Sequence, residues 1–163
     1  MQVTLLTCTW NSKKTIKNCC ISISNQTYND IEHIIIDKTS DDKKLSTSKK
    51  YKVKNQKIIL QKNSWIYGAL DEGLIEVKGD IVSILHSDDK LFDKDVIQKI
   101  VKKFEDKDIN ILFSNLIYTK ENASSAILRK WKSNIKEGIQ SKNCFSKNFK
   151  KGWMPPPSSN NIC

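Results

Sequence analysis

The sequence is short of the residues that mark several protein classes. Three prolines and five glycines in 163 residues are too few for a collagen-like or low-complexity chain, and they argue against a wholly disordered one. No apolar run approaches the ~20 residues that a membrane-spanning helix needs. Residues 1–14 (MQVTLLTCTWNSKK) have no basic stretch ahead of the apolar one, so they do not read as a signal peptide. The five cysteines are odd in number and show neither a CxxC nor a Cys/His metal spacing. They read as reduced thiols of a cytoplasmic protein, with Cys8 in a strand and Cys19 and Cys20 in a helix. Two histidines, His33 and His86, are too few and too far apart for a histidine-based metal site. Arginine is almost missing: Arg129 stands against 27 lysines.

The composition that remains is that of one folded domain. It is 38% hydrophobic and 28% charged, and a chain of this length can bury a core. The net charge is +10, from 28 basic and 18 acidic residues. Lysine is spread along the chain, and phosphate clamps favour the arginine fork. We therefore read the charge as a coding bias toward AT-rich codons and expect no nucleic-acid partner. A basic surface does suit an anionic leaflet, so peripheral association with the inner face of the membrane is compatible with the sequence.

Strand and helix patterns alternate. Residues 2–8, 31–36, 57–60, 81–85 and 109–118 read as strands. Residues 15–23, 45–51, 66–77 and 93–104 read as helices, with Asn11 or Ser12 capping the first and Gly79 closing the third as its C′ glycine. Strands joined by such helices give an α/β fold with a mostly parallel sheet and flanking helices. After Thr119 the periodicity fades: residues 121–125 read as a turn, and residues 130–151 are basic and irregular.

In a parallel sheet the ligand site lies outside the carboxyl ends of the strands. Polar residues gather there: Thr9, Trp10 and Asn11 after the first strand, Asp37 after the second, and His86-Ser87-Asp88-Asp89 after the fourth. Two adjacent carboxylates behind a buried strand suit a hard divalent cation completed by phosphate oxygens, or else a capped turn. No GxGxxG, GxxxxGK[ST] or GxSxG motif is present.

These pieces, in this order, resemble the GT-A glycosyltransferases of family 2, of the bacterial polysaccharide and colanic-acid type. Residues 9–42 resemble the family's T-[YF]-N-x-x-x-T opening, its N-Q-T-Y and its D-G-x-S-x-D turn. Residues 62–89 resemble D-K-G-I-Y-D-A-M-N-K-G followed by G-D and N-S-D-D, and residues 111–118 resemble the strand after that. Arg129, Trp131 and Gly152-Trp153-Met154-Pro155-Pro156 resemble R-x-W and G-x-M-P-P-H-P-T.

The resemblance implies a Rossmann-like GT-A fold and a hexosyltransferase-like enzyme of cell-surface polysaccharide synthesis. It would use a nucleotide-diphospho-sugar, with a UDP-sugar as the expected donor, and a saccharide or lipid-linked saccharide as acceptor. It also implies residue roles. Thr9 and Asn11 would line the nucleotide pocket, and Asp37 would read the base. His86, Ser87 and Asp88 would occupy the D-x-D positions, and Asp88 with Asp89 would hold Mn2+ or Mg2+.

Departures from the pattern are Lys38 for glycine, which would crowd the pocket or reach a phosphate, Asn63-Ser64-Trp65 for D-K-G, and Gly68 for aspartate. Asp71-Glu72 replaces Asn-Lys, His86 replaces Asn or Asp, and Pro157-Ser158-Ser159 replaces His-Pro-Thr. Residues 1–119 would form the nucleotide-sugar half, and residues 120–163 the start of an acceptor-side region. The sequence stops inside a motif, before the family's catalytic base, and so suggests a truncated product that is impaired in transfer. A non-catalytic nucleotide-binding module or a remnant fragment is the alternative.

Overall fold

A computed structural model describes residues 1–38, 51, 53–62, 65–105, 109–120, 123–131, 139–140 and 160–162. The elements are β1 (Val3–Thr9), α1 (Ile16–Ser24), β2 (Ile31–Asp37), β3 (Asn55–Leu60), α2 (Ile66–Ile75), β4 (Ile81–Ile84) and α3 (Val96–Glu105). They continue with β5 (Ile111–Phe113), β6 (Leu116–Lys120), β7 (Ala123–Trp131), β8 (Ile139–Gln140) and β9 (Asn160–Ile162). The main sheet has the order β3-β2-β1-β4-β9-β5-β8. Strands β1 to β4 run parallel, β9 lies antiparallel between β4 and β5, and β8 is antiparallel to β5. This is the mostly parallel α/β sheet that the sequence implies.

The central strands are apolar on both faces because helices cover both. One face of β1 and β2 presents Val3, Leu5 and Ile31 to Cys19 and Ile23 of α1 and to Ile97, Ile100, Val101 and Phe104 of α3. The other face presents Leu6, Ile34 and Ile36 to Ala69 of α2. Helices α1 and α3 each repeat buried residues at three- and four-residue steps, the stripe that a half-covered helix needs. Helix α2 instead buries small residues, Ala69 and Gly73. A Cβ on Gly73 would lie 2.8 Å from Ile36 Cδ1, so glycine sets how closely α2 approaches the sheet.

At the amino end of the sheet, a polar cluster fixes the register of β1, β2 and β4. Thr4 Oγ1 donates to Glu32 Oε2 at 2.6 Å, and the Lys78 and Gly79 backbone N–H groups bond to Glu32 Oε2 and Thr4 Oγ1. Asp80 and Ile81 both donate to the Gln2 carbonyl. Gly79 belongs to this contact and not to the end of α2, whose C-cap is Glu76. A Cβ at Gly79 would stand 2.8 Å from the Gln2 carbonyl oxygen, which is backbone and cannot yield.

Other expectations change in detail. The strand read at 109–118 is two strands, β5 and β6, separated at Ser114 and Asn115, both exposed. Strand β6 leaves the main sheet and pairs with β7 in a two-stranded antiparallel sheet. Part of the expected turn at 121–125 is therefore the start of β7. A hairpin partner satisfies the ladder without any helical periodicity, which is why the periodicity fades after Thr119. The helix expected at 45–51 lies, Tyr51 apart, outside the described residues, as do residues 152–157.

His33 lies in β2 with 1% of its surface exposed. The Gln56 amide donates to Nδ1 at 3.2 Å, which leaves Nε2–H to donate to Thr7 Oγ1 at 3.0 Å. Burial pushes its pKa from 6.5 down to about 4. The unfolded chain binds the proton first as pH falls, so stability is full above pH 6.5, declines toward pH 4 and stays low below it. The loss expected over that window is about 3 kcal/mol. In His33→Gln, urea midpoints between pH 7 and pH 4 should fall less than in the parent; parallel declines would show that His33 is not the titrating group.

Candidate functional site

The parallel register brings the carboxyl ends of β2, β1 and β4 side by side. Thr9 pairs with Asp37 across β1 and β2, and both side chains are buried. Strand β4 lies on the other side of β1. The Leu85 N–H still bonds to the Leu6 carbonyl, and the chain then turns, with Asp89 N–H donating to the His86 carbonyl. Asp37 and the HSDD turn thus flank the end of β1 from opposite sides. Of the seven residues that the sequence singled out, Thr9 and Asp37 pair across β1 and β2, and Asn11 and His86–Asp89 lie in the segments that follow β1 and β4.

The β1 loop is built to reach both neighbours. Asn11 has φ 49°, a left-handed conformation that asparagine tolerates better than most residues, and it bends the chain off the strand. Ser12 then folds back. Its Oγ bonds the Trp10 carbonyl at 3.1 Å and shares a 2.9 Å hydrogen bond with Ser87 Oγ. This bond joins the loop after β1 to the turn after β4.

Ser12 is therefore a bridge and not a side-chain cap. The residue at the start of α1 is Thr15, which makes no capping bond with its side chain, while the Ser12 carbonyl accepts the Thr15 and Ile16 N–H groups. Reading the Ser12–Ser87 bond in advance would have required the strand order, since 75 residues separate the two.

Burial grades the site. Thr9, Asp37 and Ser87 are buried, His86 and Asp89 half-buried, and Asp88 exposed. Among the described residues Thr9 Oγ1 has no hydrogen-bond partner. A buried hydroxyl left unpaired costs about 1–3 kcal/mol, so it is a candidate ligand contact.

No three His, Cys, Asp or Glu side chains converge on one point among the described residues. The described residues thus offer no all-protein cage. Asp88 and Asp89 do fit a magnesium-type ion, which takes one or two carboxylates and fills its remaining positions with water and phosphate oxygens.

Two further residues stand at the mouth. Lys38 continues past β2, its N–H bonded to the Thr9 carbonyl at 3.0 Å. Its ammonium lies 4.6 Å from the centroid of the exposed Trp10 ring. Glu72 of α2 accepts the Lys62 N–H with both carboxylate oxygens and so fastens the chain after β3. Away from the strand ends, the Arg129 guanidinium stacks on Trp131 within β7. Burial pushes the Cys8 and Cys20 thiols up to about 11 and that of Cys19 higher still, so all three stay protonated at neutral pH. Cys19 and Cys20 are buried in the core, and Cys8 is half-buried against it.

Residues 4–152 match Glycosyl transferase family 2. The chain belongs to this family. It is similar to glycosyltransferase GlyA of Streptococcus pneumoniae serotype 4, with 25% identity over 116 residues, 70% of this chain and 16% of that protein. Among solved structures, it resembles Staphylococcus aureus TarS 1–349 in complex with UDP-GlcNAc, with TM-score 0.63 and 22% identity, covering 69% of this chain and 34% of the other. It also resembles the mannosyltransferase PcManGT from Pyrobaculum calidifontis in complex with GDP-Man and Mn2+, with TM-score 0.61 and 21% identity, covering 68% and 34%. These structures share the fold. The chain spans 16% to 26% of the length of the curated relatives it matches.

If Thr9 Oγ1 is kept for a ligand, removing it should help the empty protein. Thr9→Val should raise the ligand-free stability by about 1 kcal/mol, or melting by about 2–4 °C. Differential scanning calorimetry would show it; a lower melting temperature would mean that the hydroxyl is already satisfied.

Proposed function

We propose that the strand-end site binds a nucleotide-diphospho-sugar for transfer to an acceptor hydroxyl. The observation that carries this reading is the alignment of buried Asp37 and Thr9 beside a carboxylate turn, joined to it through Ser12 and Ser87. Asp37 accepts from the ring N–H of the base, and Thr9 and Asn11 line the nucleotide. His86 and Ser87 lie beside the diphosphate, and Asp88 and Asp89 hold Mn2+ or Mg2+. When bound, the divalent ion neutralises the charge of the leaving diphosphate. The complexes of TarS with UDP-GlcNAc and of PcManGT with GDP-Man and Mn2+ support this donor class, and UDP-sugars are the preferred reading.

We assign residues 1–119 to the donor half and residues 120–163 to the start of the acceptor side. The acceptor is a saccharide or lipid-linked saccharide of a surface polysaccharide. Its hydroxyl must lose a proton, and among the described strand-end residues the carboxylates already have donor or metal roles. That observation favours a second reading, a module that binds the donor without transferring the sugar.

A thermal melt of the whole chain tests the binding site. Mn2+ with UDP at about 100 times Kd should raise the melting temperature by about 5–10 °C. Asp88→Ala should lose that rise while its ligand-free melting temperature stays within about 2 °C of the parent, since the side chain is exposed. No response of the parent to UDP or GDP with metal would overturn the reading. Release of UDP from UDP-GlcNAc together with acceptor would support transfer; binding without release would favour the second reading.

Membrane association has its own support. No helix among the described residues is long and apolar enough to cross a membrane. Lys13, Lys14 and Lys17 around α1 and Lys102 and Lys103 of α3 are exposed on the two helices that cover one face of the sheet, where Lys99 pairs with Asp93 and Glu105 is the exposed acid of α3. The α2 layer carries Asp71, Glu72 and Glu76 instead. Flotation should recover the protein with vesicles containing anionic phosphatidylglycerol but not with phosphatidylcholine alone, and 0.5 M salt should release it. Equal recovery with both vesicles would remove charge as the cause.

A further inference from the structure

We infer that Ser12 is a positioning residue: by taking the Ser87 proton it holds the carboxylate turn against the β1 loop, so that divalent-ion binding and nucleotide binding reinforce each other. The role rests on the donor-site reading above and adds to it a residue that acts through another.

Counting protons gives the direction of the bond. Each serine hydroxyl has one proton to donate and accepts with its lone pairs. The Trp10 carbonyl can only accept, so the 3.1 Å contact with it uses the Ser12 proton. The 2.9 Å contact between the two hydroxyls is then filled by the Ser87 proton. The reverse assignment would take the Ser12 proton away from the Trp10 carbonyl. It would also leave the Ser87 proton, on a residue only 8% exposed, without an acceptor among the described residues. Ser87 therefore uses its one donor inside the protein and offers a ligand lone pairs only.

The two ends of this bond are held very differently. Ser12 is fixed to the body of the fold. Asn11, in its left-handed conformation, turns the chain back, and the Ser12 carbonyl accepts the Thr15 and Ile16 N–H groups at 3.1 and 2.9 Å. Ile16 is 1% exposed and packs with Cys20 and Ile35, so the first turn of α1 is anchored in the core. The carboxylate turn has less to hold it. Leu85 still bonds to the Leu6 carbonyl, but the Asp89 N–H bonds back to His86 within the turn. Among the described residues, no hydrogen bond other than Ser12–Ser87 ties residues 86–89 to another segment.

The chain neighbours of the pair give the bond its consequence. Asn11, assigned to the nucleotide, precedes Ser12, and Asp88 and Asp89, assigned to the ion, follow Ser87. One hydroxyl pair thus joins the two halves of the site. A ligand that spans both halves needs them in a fixed relation. Without the bond the turn must be ordered at the moment of binding, and that ordering lowers affinity. A nucleotide bound without the ion, or an ion bound by the turn alone, does not need that relation.

The test is isothermal titration of the whole chain with UDP, once with saturating Mn2+ and once with EDTA. Bound Mn2+ is followed separately by loss of the free-ion EPR signal. Ser12→Ala should weaken UDP by about fivefold with Mn2+ and by less than about twofold with EDTA. Mn2+ without nucleotide should bind as in the parent. Ser87→Ala should give the same loss, and the double variant no further loss, because each removes the same bond. Ser12→Thr, which keeps a hydroxyl, should restore most of the affinity. Ligand-free melts of every variant serve as the folding control. Equal loss with Mn2+ and with EDTA would reduce Ser12 to a structural role, and additive losses would mean that the two serines act separately. Either result overturns the coupling, as does unchanged UDP affinity in Ser12→Ala. Failure of the parent to bind UDP in either condition overturns the donor site itself and this role with it.

Discussion

The site depends on the parallel pairing of β1 with β2 along its whole length. Seven consecutive residues of β1 face seven of β2, from Val3 opposite Ile31 to Thr9 opposite Asp37. A slip of one residue would send every side chain to the opposite face of the sheet. Leu5 and Leu6 would then exchange helices, and Thr9 would lose its neighbour. The core and the site are thus governed by one register, and the energy that holds it comes mostly from apolar residues remote from the chemistry.

That register is pinned at both ends by different means. At the amino end, Thr4, Glu32 and the Lys78–Gly79 backbone form a closed set of hydrogen bonds in which a buried carboxylate accepts from a hydroxyl and an amide. At the carboxyl end the ties are looser: one serine pair joins β1 to β4, and one lysine lies across an indole. Satisfied polar groups stabilise the amino end. The opposite end keeps an unpaired buried hydroxyl at Thr9 and exposes Asp88, so its polar groups are less fully satisfied.

Much of this was legible in the sequence. The runs VTLLTCT and IEHIIID are rich in β-branched and apolar residues, as suits a strand covered on both faces. The polar residues that follow them could be placed at the strand ends before any register was known. The bounds of β5, β6 and β7 were not legible. A strand that leaves one sheet for another keeps its β character across the break, so residues 109–118 look continuous. Gly79 was read as a helix cap because a glycine just past an apolar helix usually is one. Its place against the Gln2 backbone depends on how β4 approaches β1, a contact between segments 77 residues apart.

The sequence by itself determined the class of fold, the family and the short set of strand-end residues, because these follow from local periodicity and from motifs read in order. Tertiary structure alone decided that Ser12 reaches Ser87 and not the helix end. It also decided that His33 is a neutral, twice-bonded core residue, and that Lys38 leans over Trp10 rather than out into solvent. Each of these turns on which strand lies beside which. Hydrogen bonds and cation–π contacts act over a few ångströms, and only the packed sheet brings residues so distant in the chain within that range.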